Sequence, residues 1–319
     1  MLIAGPNLTI DRTLAIDEIR PGHVLRFTDA AITPGGKGVN VARAARSLGT
    51  AALLVSFVPG HTGAAVAALI RDEGHRFCPI ETRGEVRSSA IVMESAGRVT
   101  VFNEPGPAIS GEDWERYERA LGERTRSGEA LVCIGSVPPR APRDAFGRLV
   151  ALGRESCRFT LVDATGELLA AALPAHPDVV TPNLSEAEAV LFGRADEDVE
   201  SDGEDVRERA LEAALGMVRA GAGMAIVTAG KSGAAFCDDG KPRWMAAPRV
   251  TVRNPIGAGD CFVAGFASSL EGGAPHTKAL VAGMAAAAAG VETPLAGSFE
   301  VARALALARV IEGAAPASS

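Results

Sequence analysis

The 319-residue chain reads as an α/β protein: three layers, with a mostly parallel central sheet between two layers of helices, and a small β-sheet lid. Two observations predict this. Short β-branched or Leu-rich runs alternate with longer stretches of helical periodicity, the pattern of repeated strand–helix–strand units. Two stretches break that rhythm by reading as paired extended segments, which predicts a second, separate sheet.

The strands are predicted at Ala51–Val58, Ala130–Ile134, Phe159–Val162, Val179–Val180 and Met224–Thr228. Helices are predicted at Val39–Leu48, Gly63–Asp72, Gly111–Arg124, Pro142–Arg154, Ser185–Phe192 and Asp205–Ala220. In the first of these, Val39, Ala42, Ala45 and Leu48 recur at helical spacing. Arg87–Asn103 reads as two strands around Glu94-Ser95-Ala96-Gly97, and Asp11–Thr33 as extended chain punctuated by Pro21-Gly22. The inserts, at about 11–33 and 86–105, are expected to pair into a lid on one domain spanning 1–319; lids close over substrates and exclude water. The acidic run Arg194–Arg209 reads as a solvated connection into a helix, and the tail Gly313–Ser319 as frayed.

Composition excludes several classes. Hydrophobic residues at 47% and charged residues at 22% exclude a disordered chain. The net charge of −7 argues against a dedicated nucleic-acid binder, though not against a local basic pocket for an anionic metabolite. The longest apolar stretch, Ala279 to Val291, falls short of the ~20 residues a membrane span needs, and its Ala and Gly content suits a close-packed helix. No signal-peptide pattern opens the chain. The five Cys show no C-x-x-C and no zinc-ligand spacing, as expected of free thiols in a reducing cytoplasm.

Three constellations carry chemistry. In Asn254-Pro255-Ile256-Gly257-Ala258-Gly259-Asp260 a Gly-Ala-Gly turn runs straight into a helical segment. Backbone N–H groups at such a helix start form an anion site, and a Cβ would block close approach. Asp260 is then either a reactive carboxylate or an N-terminal acid that stabilises the helix. In Pro34-Gly35-Gly36-Lys37-Gly38-Val39-Asn40 three glycines bracket one Lys before a helix. That is either backbone packed against a polar ligand, with Lys37 and Asn40 as donors, or a tight turn. In Pro182-Asn183-Leu184-Ser185-Glu186, Asn183 and Glu186 are three apart after a strand. They suit a hydrated Mg²⁺ held beside phosphates, or a plain helix cap.

Taken in order, these motifs resemble the PfkB family of ribokinase-type sugar kinases, over nearly the whole chain. The elements are Gly35-Gly36-Lys37-Gly38-x-Asn40, Pro182-Asn183-x-x-Glu186 and Gly257-Ala258-Gly259-Asp260. The hexose-phosphate branch (1-phosphofructokinase, the minor 6-phosphofructokinase, tagatose-6-phosphate kinase) resembles it further at Asn7–Thr13, Gly135-Ser136-Val137-Pro138-Pro139, Asp163-Ala164-Thr165-Gly166 and Val227–Ala234. The resemblance implies the ribokinase-like three-layer fold, Mg²⁺ as cofactor and ATP as co-substrate. Asp260 becomes the general base, and the amides of Gly257, Ala258 and Gly259 hold developing negative charge. Asp11, Gly35, Gly36 and Asn40 hold sugar hydroxyls. Arg26, Lys37, Arg87 and Ser136 clamp a phosphate already on the substrate, a task suited to cationic and planar donors. Thr228, Gly230 and Gly233 line the nucleotide site with Asn183, and Asn183 and Glu186 position Mg²⁺ through water and phosphate. The resemblance also implies a homodimer through the lid, since partner pairing covers an exposed strand edge.

The sequence departs from the family pattern at three places. Thr181 stands where many relatives carry Lys, Val24 where one relative carries Lys, and Asn254-Pro255 where many carry Asp-Thr beside a monovalent-cation site. Two other readings compete with hexose-phosphate phosphorylation: a family kinase of an unphosphorylated sugar or nucleoside, and a non-catalytic sugar-phosphate sensor.

Overall fold

A computed structural model describes residues 1–193 and 205–314. Most of the acidic run predicted as a solvated connection, and most of the tail predicted as frayed, lie outside those residues. The chain opens with β1 (Leu2–Ala4), β2 (Thr9–Ile16), β3 (Asp29–Gly35), α1 (Lys37–Ser47), β4 (Leu53–Phe57) and α2 (Gly60–Asp72). It continues through β5 (Arg76–Ile80), β6 (Arg87–Glu94), β7 (Val99–Asn103), α3 (Gly111–Gly122), β8 (Ala130–Ile134), α4 (Ala145–Ser156), β9 (Phe159–Asp163) and α5 (Gly166–Ala172). Then come β10 (Val179–Val180), α6 (Leu184–Phe192), α7 (Val206–Arg219), β11 (Met224–Ala229), β12 (Gly233–Cys237) and β13 (Arg243–Ala246). Three helices close the chain: α8 (Ala258–Glu271), α9 (His276–Gly290) and α10 (Val301–Ala314).

The large sheet runs β13-β12-β11-β10-β9-β8-β1-β4-β5. From β11 to β5 all neighbours are parallel, and β12 and β13 fold back antiparallel at one edge. Because successive residues of a strand face opposite sides, the sheet splits its apolar residues between two cores. On β8, Val132 and Ile134 join α1, α8 and α9 through Val39, Phe262, Phe266 and Leu280. Leu131 and Cys133 face the other way, onto Trp114, Tyr117, Phe146 and Met217 of α3, α4 and α7. In this second core Trp114 and Tyr117 stack at 5.2 Å, and the buried Tyr117 hydroxyl donates to Val55 O at 3.0 Å.

The small sheet runs β3-β2-β6-β7, from the two inserts expected to form it. β2 pairs β3 antiparallel and β6 parallel, so that Thr9 lies between Gly35 and Arg87. Strand order in the large sheet reverses at β1, which has β4 on one side and β8 on the other. Ligands of such sheets bind outside the carboxyl ends of the strands at that reversal, the edge over which the small sheet projects.

Several elements were not predicted, each for a physical reason. β1 is only three residues long. β5 contains Pro79, tolerated because β5 is the edge strand and needs no ladder donor there. β12 and β13 are short, at five and four residues, and the Asp239-Gly240 turn between them joins strands with little alternation of their own. Among the described residues no helix is long and apolar enough to cross a membrane. The five cysteines are unpaired, with Cys133, Cys237 and Cys261 buried.

α8 and α9 pack at Gly265, where an added Cβ would lie 2.7 Å from the Ala282 carbonyl oxygen and 2.9 Å from Ala286 Cβ. Backbone cannot yield there cheaply. Gly265→Ala is therefore expected to cost about 1–3 kcal/mol and lower Tm by several degrees, measured by thermal unfolding. An unchanged Tm would contradict the close approach of these helices.

Candidate active site

Helix α8 begins on a left-handed residue, Gly257, with φ of 82°. Its Cβ would meet Gly297 N at 2.9 Å, so only glycine fits the turn. The turn is closed by Asn254, whose Oδ1 accepts from Ile256 N–H at 3.0 Å while its Nδ2 donates to the Pro294 carbonyl at 2.9 Å. No side chain caps α8, which leaves its first amides for a ligand. At Gly259, in contrast to Gly257, an added Cβ would point into open space.

Asp260, one turn in, is buried. Its Oδ2 accepts a hydrogen bond from Asn40 Nδ2 at 2.7 Å, so the two glycine loops meet across 220 residues of sequence. Burial raises its carboxyl, nearby Asp163 adds to the rise, and Lys37, Asn40 and Arg43 oppose it; the balance lies at about 6. A carboxylate so poised is ionised at neutral pH yet basic enough to take a proton.

Lys37, predicted to clamp a substrate phosphate, instead donates to Asp163 Oδ1 at 2.7 Å. Burial would lower its ammonium pKa, but Asp163, Asp260 and Glu186 outweigh it and hold Lys37 above its usual range. Lys37 thus belongs with the Asp260 carboxylate. Thr181 also donates to Asp163, through Oγ1 to Oδ2 at 3.1 Å, so Asp163 is held from both sides. Asn183 caps α6 and forms a reciprocal box with Glu186: Asn183 Oδ1 accepts from Glu186 N–H at 2.8 Å, and Glu186 Oε2 accepts from Asn183 N–H at 2.9 Å. The helix-cap reading of this motif is met, and the Glu186 carboxylate also acts on the Lys37 ammonium. Among the described residues there is no group of three or more His, Cys, Asp or Glu side chains to cage a metal. One amide and one carboxylate suit Mg²⁺ that keeps its waters and leans on phosphates.

Thr228 N–H donates to Pro182 O at 3.0 Å, which brings the end of β11 beside Asn183. Gly230 has open space where a Cβ would stand. Gly233 is explained by packing: its Cβ would lie 2.2 Å from Met245 O.

The lid supplies the other half. Asp11 on β2 presses against Gly35, where a Cβ would lie 2.0 Å from Asp11 Oδ2; Asp11 Oδ1 is buried with no hydrogen-bond partner. Burial raises its carboxyl to about 6 against the pull of Thr9, Arg87 and Arg43. Arg87 on β6 donates to the carbonyls of Leu8, Glu104 and Asn7. Burial lowers the Arg87 guanidinium pKa, with Asp11 opposing. Asn7 Nδ2 donates to Ser136 Oγ at 2.9 Å, joining the carboxyl ends of β1 and β8 beneath Arg87. Arg26 does not converge: it is exposed on the β2–β3 connection. Of the four predicted phosphate ligands, Arg87 and Ser136 share Asn7, and Lys37 packs over Gly135, next to Ser136, with its ammonium on Asp163, while Arg26 is exposed.

Composition and spacing give no role to Asp163, Asn7 or Arg43, which the structure places in the site. For Asp163 a signal exists, an acid ending the apolar strand run Phe159–Val162.

Fold and site together define a carbohydrate kinase. The family model described as pfkB family carbohydrate kinase matches residues 7–302, and the chain belongs to that family. Over 291 residues it is 30% identical to the ATP-dependent 6-phosphofructokinase isozyme 2 of Escherichia coli (strain K12), covering 90% of each chain. It is 27% identical over 283 residues to the 1-phosphofructokinase of Bacillus subtilis (strain 168), covering 89% of each. The crystal structure of phosphofructokinase-2 from Escherichia coli in complex with potassium superposes with a TM-score of 0.87 at 26% identity, over 98% of this chain and 99% of that one.

The two raised carboxyls carry a stability consequence. An acid whose native pKa exceeds its unfolded value binds more protons when folded, so its contribution falls as pH rises from about 4 to 6 and stays reduced above. Asp11→Asn and Asp260→Asn are each expected to raise Tm at pH 7.5 and to flatten the dependence of Tm on pH between 4 and 6. A lower Tm in both variants would show that the charges are not penalised by the fold.

Proposed function

We propose that this kinase transfers the γ-phosphate of ATP to a hydroxyl of a ketohexose phosphate (fructose 1-phosphate, fructose 6-phosphate or tagatose 6-phosphate), giving a bisphosphate. The observation that carries the phosphorylated-substrate reading is Arg87. It is half-buried, bonded only to main-chain carbonyls, and among the described residues no carboxylate lies within ion-pair distance of it. A desolvated guanidinium without a bonded anion is a recognition element for phosphate, and a neutral sugar would leave it uncompensated. The names of the two relatives point to the same substrate class.

In this reading the sugar lies between lid and main sheet. The orphaned Asp11 Oδ1, beside Gly35 and Gly36, accepts from a sugar diol, with Asn40 nearby. Arg87 and Ser136 take the existing phosphate. Asp260 removes the proton of the attacking hydroxyl as the new O–P bond forms and the bond to the β-phosphate oxygen breaks, releasing ADP. The amides of Gly257, Ala258 and Gly259, with the Lys37 ammonium, face the charge that develops on the transferring group. The triphosphate runs past Asn183 toward Thr228, Gly230 and Gly233. Asn183 and Glu186 would hold Mg²⁺ through water, and the ion would supply charge neutralisation of the phosphates.

ADP release would be followed with Mg-ATP and each of the three ketohexose phosphates, with free fructose as control. Faster turnover of free fructose would overturn the phosphate reading. Asp260→Ala should lower kcat by about 10³-fold, and kcat/KM of the unaltered enzyme should fall as pH drops below about 6. Arg87→Ala should raise KM for the phosphorylated sugar and leave that for free fructose unchanged; equal effects would remove Arg87 from the clamp.

We also propose that the lid pairs two copies of the chain. β3 and β7 are the open edges of the small sheet, Ile32, Val101 and Phe102 expose apolar surface on it, and Val24 and Phe27 add to that surface from the β2–β3 connection. Sedimentation is expected to give a dimer that Phe102→Asp weakens; a monomer at all concentrations would refute it.

A further inference from the structure

Arg43, on α1 and three residues beyond Asn40, is buried. It engages all five of its N–H donors. Nε and Nη2 grip the Glu73 carboxylate at 2.9 and 2.8 Å. Nη2 also donates to Pro34 O at 3.2 Å, and Nη1 donates to Asn40 Oδ1 at 3.2 Å and to Ala296 O at 2.7 Å. One guanidinium thus ties the end of α2, the strand end before Gly35, the Asn40 amide and the loop behind Gly257.

We propose that Arg43 is a positioning residue for phosphoryl transfer: it fixes the orientation of the Asn40 amide and thereby the hydrogen bond received by Asp260. The inference rests on reading Asp260 as the general base. Arginine has no acceptor, so the Asn40 atom facing Arg43 must be the carbonyl oxygen, and the atom facing Asp260 must be the NH₂. A flipped amide would set oxygen against carboxylate and favour its protonated form. Arg43 also braces the anion-binding turn from behind. Ala296 precedes Gly297, whose Cβ would lie 2.6 Å from Asn40 Cα, and Gly297 N in turn abuts Gly257. The fork is itself held. Burial would raise the Glu73 carboxyl, but hydrogen bonds from His75 and Arg43 keep it at about 2, with His75 Nε2 2.9 Å from Glu73 Oε2.

The test compares Arg43→Gln with the unaltered enzyme and Asp260→Ala, using Mg-ATP with fructose 6-phosphate and fructose 1-phosphate. The groups acting on Asp260 are Lys37, Asp163, Asn40 and Arg43, and only the last is changed. Arg43→Gln is expected to lower kcat about 100-fold with KM for ATP unchanged. The acid limb of its kcat–pH profile should move up by about one pH unit. A loss of Tm and of active enzyme with the acid limb unmoved would assign Arg43 a merely structural role and overturn the proposal, as would full kcat. Should Arg43→Gln not fold, Glu73→Gln decides by the same readouts: a smaller shift of the limb in the same direction supports the proposal, and an unmoved limb overturns it. Retained turnover in Asp260→Ala would instead overturn the parent reading.

Discussion

The hydrogen bond from Asn40 to Asp260 is the contact on which the site depends. It joins the N-terminal turns of α1 and α8, helices that share one face of the large sheet and one apolar core. Each helix starts on a left-handed glycine, Gly36 or Gly257, that places its first turn at the carboxyl ends of the strands. If either helix slid along the sheet, this bond would break and Asp260 would lose a donor in a place where water cannot replace it. The dense, Ala-rich packing of α8 against α9 therefore holds the Asn40–Asp260 contact as well as the core: it leaves α8 no room to shift.

Charge is organised in two separate groups. Around Lys37 stand Asp163, Asp260 and Glu186, a surplus of negative charge that a divalent cation would offset. Around Asp11 stands Arg87, on the lid, with a single formal pair that does not close into a bonded bridge. That both acids are raised to about 6 reflects burial first, with Asp163 adding to the rise at Asp260 alone. The net charge of −7 says nothing of this, because it sums over a surface that the site does not use.

Much of the site was legible because glycine and helix starts are local signals. Gly257 through Asp260 and Gly35 through Asn40 announce themselves by spacing, and the strands of the lid by alternation and turn residues. What was not legible is long-range pairing. Nothing in the spacing says that Lys37 will bond Asp163 and stay away from Arg87, because that choice is set by the register of β9 against β8 and by where α1 begins. Arg26 shows the converse: it lies exposed on the connection between β2 and β3, outside both strands, so no strand register aims it. The short strand β1 and the proline-bearing edge strand β5 carry little pattern of their own and are strands only because their neighbours are.

Thr181 shows how a departure from a family pattern can be absorbed. Where many members carry a lysine, this chain has a buried hydroxyl that donates to Asp163. A lysine there would compete with Lys37 for the same carboxylate. With threonine, Asp163 keeps one oxygen for the hydroxyl and the other for Lys37, so the ammonium is held by a carboxylate that cannot rotate away. Relative to that pattern one positive charge is absent, and Lys37 is held on Asp163. Preorganised charge stabilises developing charge better than mobile charge, so under the proposed reaction the threonine leaves Lys37 as a fixed charge where a second lysine would be a competing one.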